Sequence, residues 1–181
     1  GALVARNSFN TEFSNHVAFF DVDSPTFYYT TDRTEFIGRN GTLDNPEAMS
    51  RSQLSGKSGT NMDACAAIQV PFELEPGRER TIIFKLGAGK DLQEVVATVQ
   101  RFRGNAEASR SFARVTQFWN TTLNKVQVET PDRSINILAN GWLLYQVIAC
   151  RLWGRSGLYQ SGGAFGFRDQ LQDTLALMHA Q

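Results

Sequence analysis

The sequence is poor in the residues that build metal sites and covalent cross-links. Its 181 residues include two cysteines, Cys65 and Cys150, and two histidines, His16 and His179, all far apart along the chain. None of them has the spacing of metal ligands, so we predict no metal site in this chain. The cysteines are expected to be reduced and buried, as small apolar residues of a protein from a reducing, cytoplasmic compartment.

An excess of one charge and a long hydrophobic run are also absent. Eighteen basic and 18 acidic residues cancel, and no long run of one sign occurs, which argues against nucleic acid as a partner. A membrane span needs about 20 apolar residues, whereas the longest candidate, 135–152, is interrupted by polar residues such as Asn140. The chain begins without Met or a signal-peptide pattern, and its last helix has no terminator. We therefore expect a piece of a longer protein.

Residues 1–88 consist of short β-rich runs between turn signals. The runs 17–20 and 26–30 are rich in branched and aromatic residues and predict strands. Apolar and polar residues alternate over 66–74, which predicts a strand with the side chains from Ala66 to Leu74 buried on one face. A turn at 75–78 would lead into the second arm of a hairpin, 81–86. Segment 31–60 is predicted to be a long, partly ordered connection, and the whole pattern favours an antiparallel β-sandwich.

After Gly89 the hydrophobic period becomes helical. Two helices are predicted over 92–102, capped by Asp91, and over 106–124, with Gly104 between them. A third is predicted to start at Thr130 and Pro131. Its run, 135–153, is apolar nearly all round, so other elements must cover it.

A glycine-rich stretch, 157–166, is followed by a predicted helix that begins near Asp169. Gly162, Gly163 and Gly166 let the backbone approach a ligand closely. Their spacing matches neither a phosphate-binding loop nor a dinucleotide fingerprint. The stretch therefore predicts a binding loop without identifying a nucleotide.

Four polar residues gather at the start of that helix: Arg168, Asp169, Gln172 and Asp173. In one interpretation they cap the helix and complement its dipole. In the other they form the floor of a pocket, because their donors and acceptors suit sugar hydroxyls. Asp169 and Asp173 lie one turn apart and point side by side, so they cannot flank a glycosidic bond as an acid–base pair.

Residues 159–173, from Tyr159 to Asp173, resemble the signature of glycoside hydrolase family 94, the inverting β-glucoside phosphorylases. The upstream runs 7–10, 31–39 and 54–56 look most like the phosphorylase-like domains of cyclic β-1,2-glucan synthases and like 1,2-β-oligoglucan phosphorylases. The resemblance extends over essentially the whole chain. It implies an α+β fragment of several domains: the end of a β-sandwich at 1–88, a helical linker at 89–129, and the first helices of an (α/α)6 barrel at 130–181.

The resemblance also implies an activity. The parent protein would cleave or form β-glucosidic bonds, β-1,2 by the closest likeness, with inorganic phosphate and α-glucose 1-phosphate and without a cofactor. Arg168 and either Asp169 or Asp173 would bind the glucosyl unit, with Gln172 and Arg155 as further candidates.

No catalytic residue is implied within this chain, because the family's general acid lies downstream of it. The isolated chain is therefore expected to be inactive. Its partners would be β-glucan or glucose 1-phosphate, the remaining part of the barrel and a second copy in a homodimer, and the parent could belong to an inner-membrane synthase. The alternative is a non-catalytic carbohydrate-binding sandwich whose helices dock a partner.

Overall fold

The computed structural model describes residues 1–9, 11, 13–154 and 167–180, without the side chains of Phe167, Asp169 and Gln170. The chain forms two compact units, Gly1–Ser111 and Phe112–Gln181. All strands of the described residues lie in the first unit, and the second is helical. Within the described ranges no helix combines the length and the apolar character that a bilayer crossing requires.

The first sheet has three antiparallel strands: β1 (Leu3–Arg6), β2 (Val17–Val22) and β5 (Phe84–Gly89), in the order β1-β2-β5. Side chains alternate between the two faces of a strand, and β2 accordingly buries Val17 and Phe19 on one face. The sheet thus presents an apolar face for a helix to cover.

Helix α2 (Leu92–Arg101) covers this face with Val95 and Val99, which pack against Val17 and Phe19. Burial of such side chains stabilises the fold by about 1.5–3 kcal/mol each. The predicted cap is confirmed, since the Asp91 side chain accepts a hydrogen bond from the Glu94 amide at 2.8 Å.

A cluster of charged residues fastens the start of the next helix, α3 (Asn105–Leu123), to the sheet. Lys85 on β5 pairs with Asp23 and, at 2.7 Å, with Oδ2 of the fully buried Asp21. The contact with Asp21 lacks hydrogen-bond geometry, so it compensates the buried charge only electrostatically. Asp23 also accepts the Gly104 amide at 2.7 Å. Burial acts to raise the pKa of Asp23, but Lys85 and this amide outweigh it and lower that pKa.

The second sheet pairs β3 (Tyr28–Asp32) with β4 (Ala64–Gln69) in antiparallel register. Between these strands the chain contains a short helix, α1 (Arg33–Ile37), and a 3-10 turn, Glu47–Ser50. They are the helical elements of the segment 31–60, which was predicted to be a long, partly ordered connection. Their core consists of Ala48, Leu54 and Ala67, with Tyr28, Phe36 and Cys65 packed around them.

The predicted strand over 66–74 and its hairpin are wrong in detail. The strand ends at Gln69, because Pro71 cannot donate to a ladder. Phe72 and Leu74 are more than half exposed, and Ala67 is buried instead of the predicted face. The turn at 75–78 exists, with the Arg78 amide bound to the Glu75 carbonyl, but the strands on either side pair with β3 and β2 and not with each other.

The described helices after α3 are α4 (Arg133–Ile137), α5 (Leu143–Gln146) and α6 (Phe167–Leu175). Two π-helical segments, Leu138–Trp142 and Val147–Trp153, flank α5, and a 3-10 turn, Ala176–His179, follows α6.

The uninterrupted helix predicted over 135–153 is wrong. Gly141 has φ +117°, which glycine tolerates and which bends the chain between α4 and α5. The cap is also two residues later than predicted: the side chain of Asp132, not that of Thr130, accepts a hydrogen bond from the Ser134 amide at 2.8 Å. Both cysteines are unpaired, but Cys150 is exposed, contrary to the prediction of burial.

Candidate functional site

The residues predicted to bind a sugar lie partly within the structure. Arg155 and the glycine-rich stretch 157–166 fall outside the described residues, as does the side chain of Asp169. Arg168, Gln172 and Asp173 are on α6. Arg168 and Gln172 are exposed and Asp173 is half-buried.

One ion pair connects α6 with the helical segment that precedes the glycine-rich stretch. Nε of Arg151 donates to Oδ2 of Asp173 at 2.6 Å. The two side chains are 32% and 40% exposed. The sequence analysis gave no role to Arg151, which is one of the polar residues that interrupt the run 135–152. A single cation within an otherwise apolar helix is the signal that could have identified it.

A second polar site lies in the first unit, where two of the runs that carry the family resemblance come together. Residues of 31–39 and 54–56 line a groove of about 310 Å³. Its wall consists mainly of charged and hydroxyl side chains: Asp32, Thr34, Glu35, Arg39, Glu47, Arg51, Ser55 and Lys57. We call this feature the polar groove.

The buried residue of the polar groove is Glu35 on α1. Its Oε2 accepts hydrogen bonds from Oγ1 of Thr30 at 2.6 Å and from Oγ of Ser55 at 2.7 Å, and its Oε1 accepts the Ser55 amide at 2.9 Å. Burial acts to raise the pKa of Glu35, but these donors outweigh it and hold the pKa below the usual 4.5. Glu35 therefore joins β3, α1 and the 54–57 segment as an ionised carboxylate.

The remaining charges of the polar groove are mostly paired. Lys57 donates to Asp32 at 3.0 Å, which lowers the pKa of Asp32. Arg51 pairs with Glu47. Arg39 has no ion pair among the described residues. The polar groove thus offers charged donors and acceptors side by side, a combination that fits a polyhydroxylated ligand.

Metal chemistry has no candidate centre in the part of the chain that the structure describes. No three His, Cys, Asp or Glu side chains there are grouped to hold an ion.

Two family models match the chain. The glycosyl hydrolase 94 supersandwich domain matches residues 1–105, and the catalytic domain of the glycosyl hydrolase 94 superfamily matches residues 118–181. The first match alone covers more than half of the chain. The second contains every residue predicted to bind a sugar.

Relatives with assigned activities include a synthase and several phosphorylases. The chain is 40% identical over 177 residues to the cyclic beta-(1,2)-glucan synthase NdvB of Rhizobium meliloti, a match that covers 97% of this chain and 6% of the synthase. It is 28% identical to the N,N'-diacetylchitobiose phosphorylase of Vibrio furnissii, over 95% of this chain and 24% of that enzyme. The enzyme of the same name from Vibrio proteolyticus is 30% identical, over 89% of this chain and 20% of its own length. The chain thus spans a quarter or less of each of these relatives.

Proposed function

Because the chain belongs to the glycosyl hydrolase 94 family, we propose that it supplies part of the glucosyl-binding subsite of an inverting β-glucan phosphorylase or glycosyltransferase. The observation that carries this proposal is the match of the catalytic-domain model to residues 118–181. Those residues include α6 with Arg168, Gln172 and Asp173. The identity with NdvB supports a β-1,2 linkage as the bond that is made or broken.

The proposed reaction is a single displacement. A general acid protonates the glycosidic oxygen, and an oxygen of inorganic phosphate attacks the anomeric carbon from the opposite face. The bond between that carbon and the glycosidic oxygen breaks as the carbon–phosphate oxygen bond forms. The inverted product is α-glucose 1-phosphate, and the reverse reaction lengthens a glucan.

This chain would contribute positioning and not proton transfer. Arg168 can donate two parallel hydrogen bonds, and Asp173 can accept hydroxyl protons, so together they can hold a glucosyl unit in one orientation. A fixed orientation of the anomeric carbon relative to the acid and the phosphate accelerates the displacement. We propose that the acid and most of the phosphate site belong to the rest of the catalytic domain, and that the isolated chain releases no glucose 1-phosphate.

The test uses the complete protein with the substitutions Arg168→Ala and Asp173→Asn. We expect each to lower the rate of glucose 1-phosphate release from β-1,2-glucan and phosphate by about 100-fold or more, because a small misplacement of the reacting carbon has an effect of this size. Circular dichroism should show an unchanged fold.

Two exposed residues provide matched controls. Arg133→Ala and Asp44→Asn remove the same chemical groups at exposed positions outside α6 and should leave the rate within twofold of the unsubstituted protein. Full activity of both the Arg168 and the Asp173 variants would refute the assignment of the subsite.

The polar groove favours a second candidate function, a glucan-binding module in the first unit. Its volume of about 310 Å³ is at the lower end of the range for small-ligand sites, and its side chains have the required donors and acceptors. This function is the second candidate because most of the charged side chains of the polar groove already bind one another. In the complete protein, Lys57→Ala with Arg39→Ala should leave the dissociation constant for β-glucan unchanged, as measured by calorimetry. A loss of binding in this variant, with wild-type binding in the Arg168 variant, would favour the module.

A further inference from the structure

The ion pair between Arg151 and Asp173 joins one residue that precedes the glycine-rich stretch in the sequence to one that follows it. Arg151 lies in Val147–Trp153, before that stretch, and Asp173 lies in α6, after it. Nε of Arg151 and Oδ2 of Asp173 are 2.6 Å apart, the distance of a short charge-assisted hydrogen bond. The contact therefore joins the segment Val147–Trp153 to α6.

The pair contributes little to stability. Both partners are about a third exposed, and ion pairs in contact with water typically contribute about 0–1 kcal/mol. What such a pair can determine is geometry. The planar guanidinium fixes the direction of a hydrogen bond, whereas a lysine ammonium acts as a point charge.

Only one oxygen of Asp173 is used in this contact. Oδ2 binds Arg151, and Oδ1 has no hydrogen-bond partner among the described residues. A carboxylate held at one oxygen has fewer accessible rotations, and its other oxygen can still accept a hydrogen bond. Oδ1 is thus left as an oriented acceptor for a hydroxyl group.

The backbone beneath Arg151 is unusual as well. The segment Val147–Trp153 is π-helical, and its last turn closes with the Gly154 amide bound to the Ala149 carbonyl at 2.6 Å. π-Helical turns are rare and frequently occur at functional sites. Arg151 lies within this wider turn.

From these observations we infer that Arg151 is a positioning residue, which holds the Asp173 carboxylate so that Oδ1 accepts a hydrogen bond from a glucosyl hydroxyl. The inference rests on the proposed function, since it takes Asp173 to bind the sugar. Arg151 acts through Asp173 and does not itself touch the substrate.

The test is a double-substitution cycle in the complete protein, with Arg151→Ala, Asp173→Asn and both together. Initial rates of phosphorolysis give kcat and KM for β-1,2-glucan and for phosphate. We expect Arg151→Ala to reduce kcat/KM for glucan by about 10- to 100-fold, with KM for phosphate unchanged. In the Asp173→Asn background, Arg151→Ala should reduce kcat/KM for glucan less than twofold, because Arg151 acts through the Asp173 carboxylate.

Arg151→Lys distinguishes orientation from charge. It keeps the cation but cannot reproduce the directed Nε contact, so we expect it to recover only part of the lost kcat/KM. Arg133→Ala is the matched control and should behave as the unsubstituted protein.

Three results would overturn the inference: wild-type kcat/KM in Arg151→Ala, an increase of kcat/KM in that variant, or an equal loss in both Asp173 backgrounds. An increase would mean that the ion pair competes with the sugar for the carboxylate. If Asp173→Asn itself retains full activity, the proposed function fails at this residue. If Asp173→Asn is impaired while Arg151→Ala is normal, only the positioning role fails.

Discussion

Replacing the buried Glu35 tests whether its carboxylate holds the polar groove together. Glu35→Gln preserves the shape of the side chain and removes its charge. The amide oxygen can still accept the Ser55 amide, and the amide nitrogen can donate to the hydroxyls of Thr30 and Ser55, which rotate to accept. All three hydrogen bonds of the wild-type protein therefore have a neutral counterpart in this variant.

The magnitude follows from the charge on the acceptor. A hydrogen bond to a charged group contributes about 1.5–3 kcal/mol and a neutral one about 0.5–1.5 kcal/mol. Three such bonds would together lose about 3 kcal/mol, and relief from burying the charge offsets part of this loss. We expect Glu35→Gln to lower the free energy of unfolding by about 1–2 kcal/mol.

Glu35→Ala should lower stability further. The Thr30 hydroxyl is fully buried and would lose its acceptor, at about 1–3 kcal/mol, whereas Ser55 is exposed and can bind water instead. We expect Glu35→Ala to lower the free energy of unfolding by about 3 kcal/mol in total. The matched control is Glu47→Gln, which neutralises an exposed carboxylate paired with Arg51 and should change stability by less than about 1 kcal/mol.

The pH dependence distinguishes the charge from the shape. Because the folded pKa of Glu35 lies below its usual 4.5, the unfolded chain binds the proton first as the pH falls. The contribution of the carboxylate is complete above pH 4.5 and is lost as the pH falls through the folded pKa. The stability difference between wild type and Glu35→Gln should therefore narrow below pH 4.5. Asp23, whose pKa is also lowered, interacts with Lys85, Arg103 and Gly104 and not with Glu35, so its titration should cancel in the difference between the two proteins.

The assay must report on the first unit. All three tryptophans, Trp119, Trp142 and Trp153, lie in the second unit, so their fluorescence is unsuitable. Urea unfolding of the full chain, followed by far-UV circular dichroism between pH 3 and 7, gives the free energies. Hydrogen exchange of the Ser55 amide reports the local effect. Either of two results would refute the role of the charge. One is a difference in free energy of unfolding between wild type and Glu35→Gln that stays constant across this pH range, and the other is a Glu35→Gln variant as stable as wild type.

Two further predictions concern the fold of the first unit. Gly87→Ala would place a Cβ 2.7 Å from the buried ring of Phe19, and this overpacking should lower the free energy of unfolding by about 1–3 kcal/mol; an unchanged urea midpoint would contradict the close approach. Asp91→Ala removes the cap of α2 and should lower stability by about 1 kcal/mol. Asp91→Ser keeps a capping oxygen and should retain most of the free energy of unfolding that Asp91→Ala loses. An equal loss of stability in both variants would argue against a capping role.

Local signals were sufficient for much of the secondary structure. Asp91 and Gly104 marked the ends of α2 correctly, because a capping carboxylate and a glycine with φ +90° act within one turn of the chain. The β-rich character of the N-terminal region and the turn at 75–78 were evident for the same reason. The family was identifiable because its signature is a contiguous run of residues.

The pairing of strands and the burial of their side chains could not be predicted from local signals. The alternation over 66–74 predicted the wrong buried face, since the partner of β4 is β3, more than 30 residues earlier, and the apolar groups beneath it come from the 48–54 region. The bend at Gly141 and the π-helical turns likewise interrupt a run whose composition predicts an uninterrupted helix.

For the candidate site, the sequence by itself determined which chemical groups are present: an arginine, an amide and two aspartates on the last helix, after a glycine-rich stretch. Only the tertiary structure decided which of them meet a partner. Arg151 and Asp173 are 22 positions apart, and Glu35 and Ser55 are 20 apart. A hydrogen bond requires atoms within about 3 Å, and at such separations that distance depends on how the intervening chain folds, which no local pattern specifies.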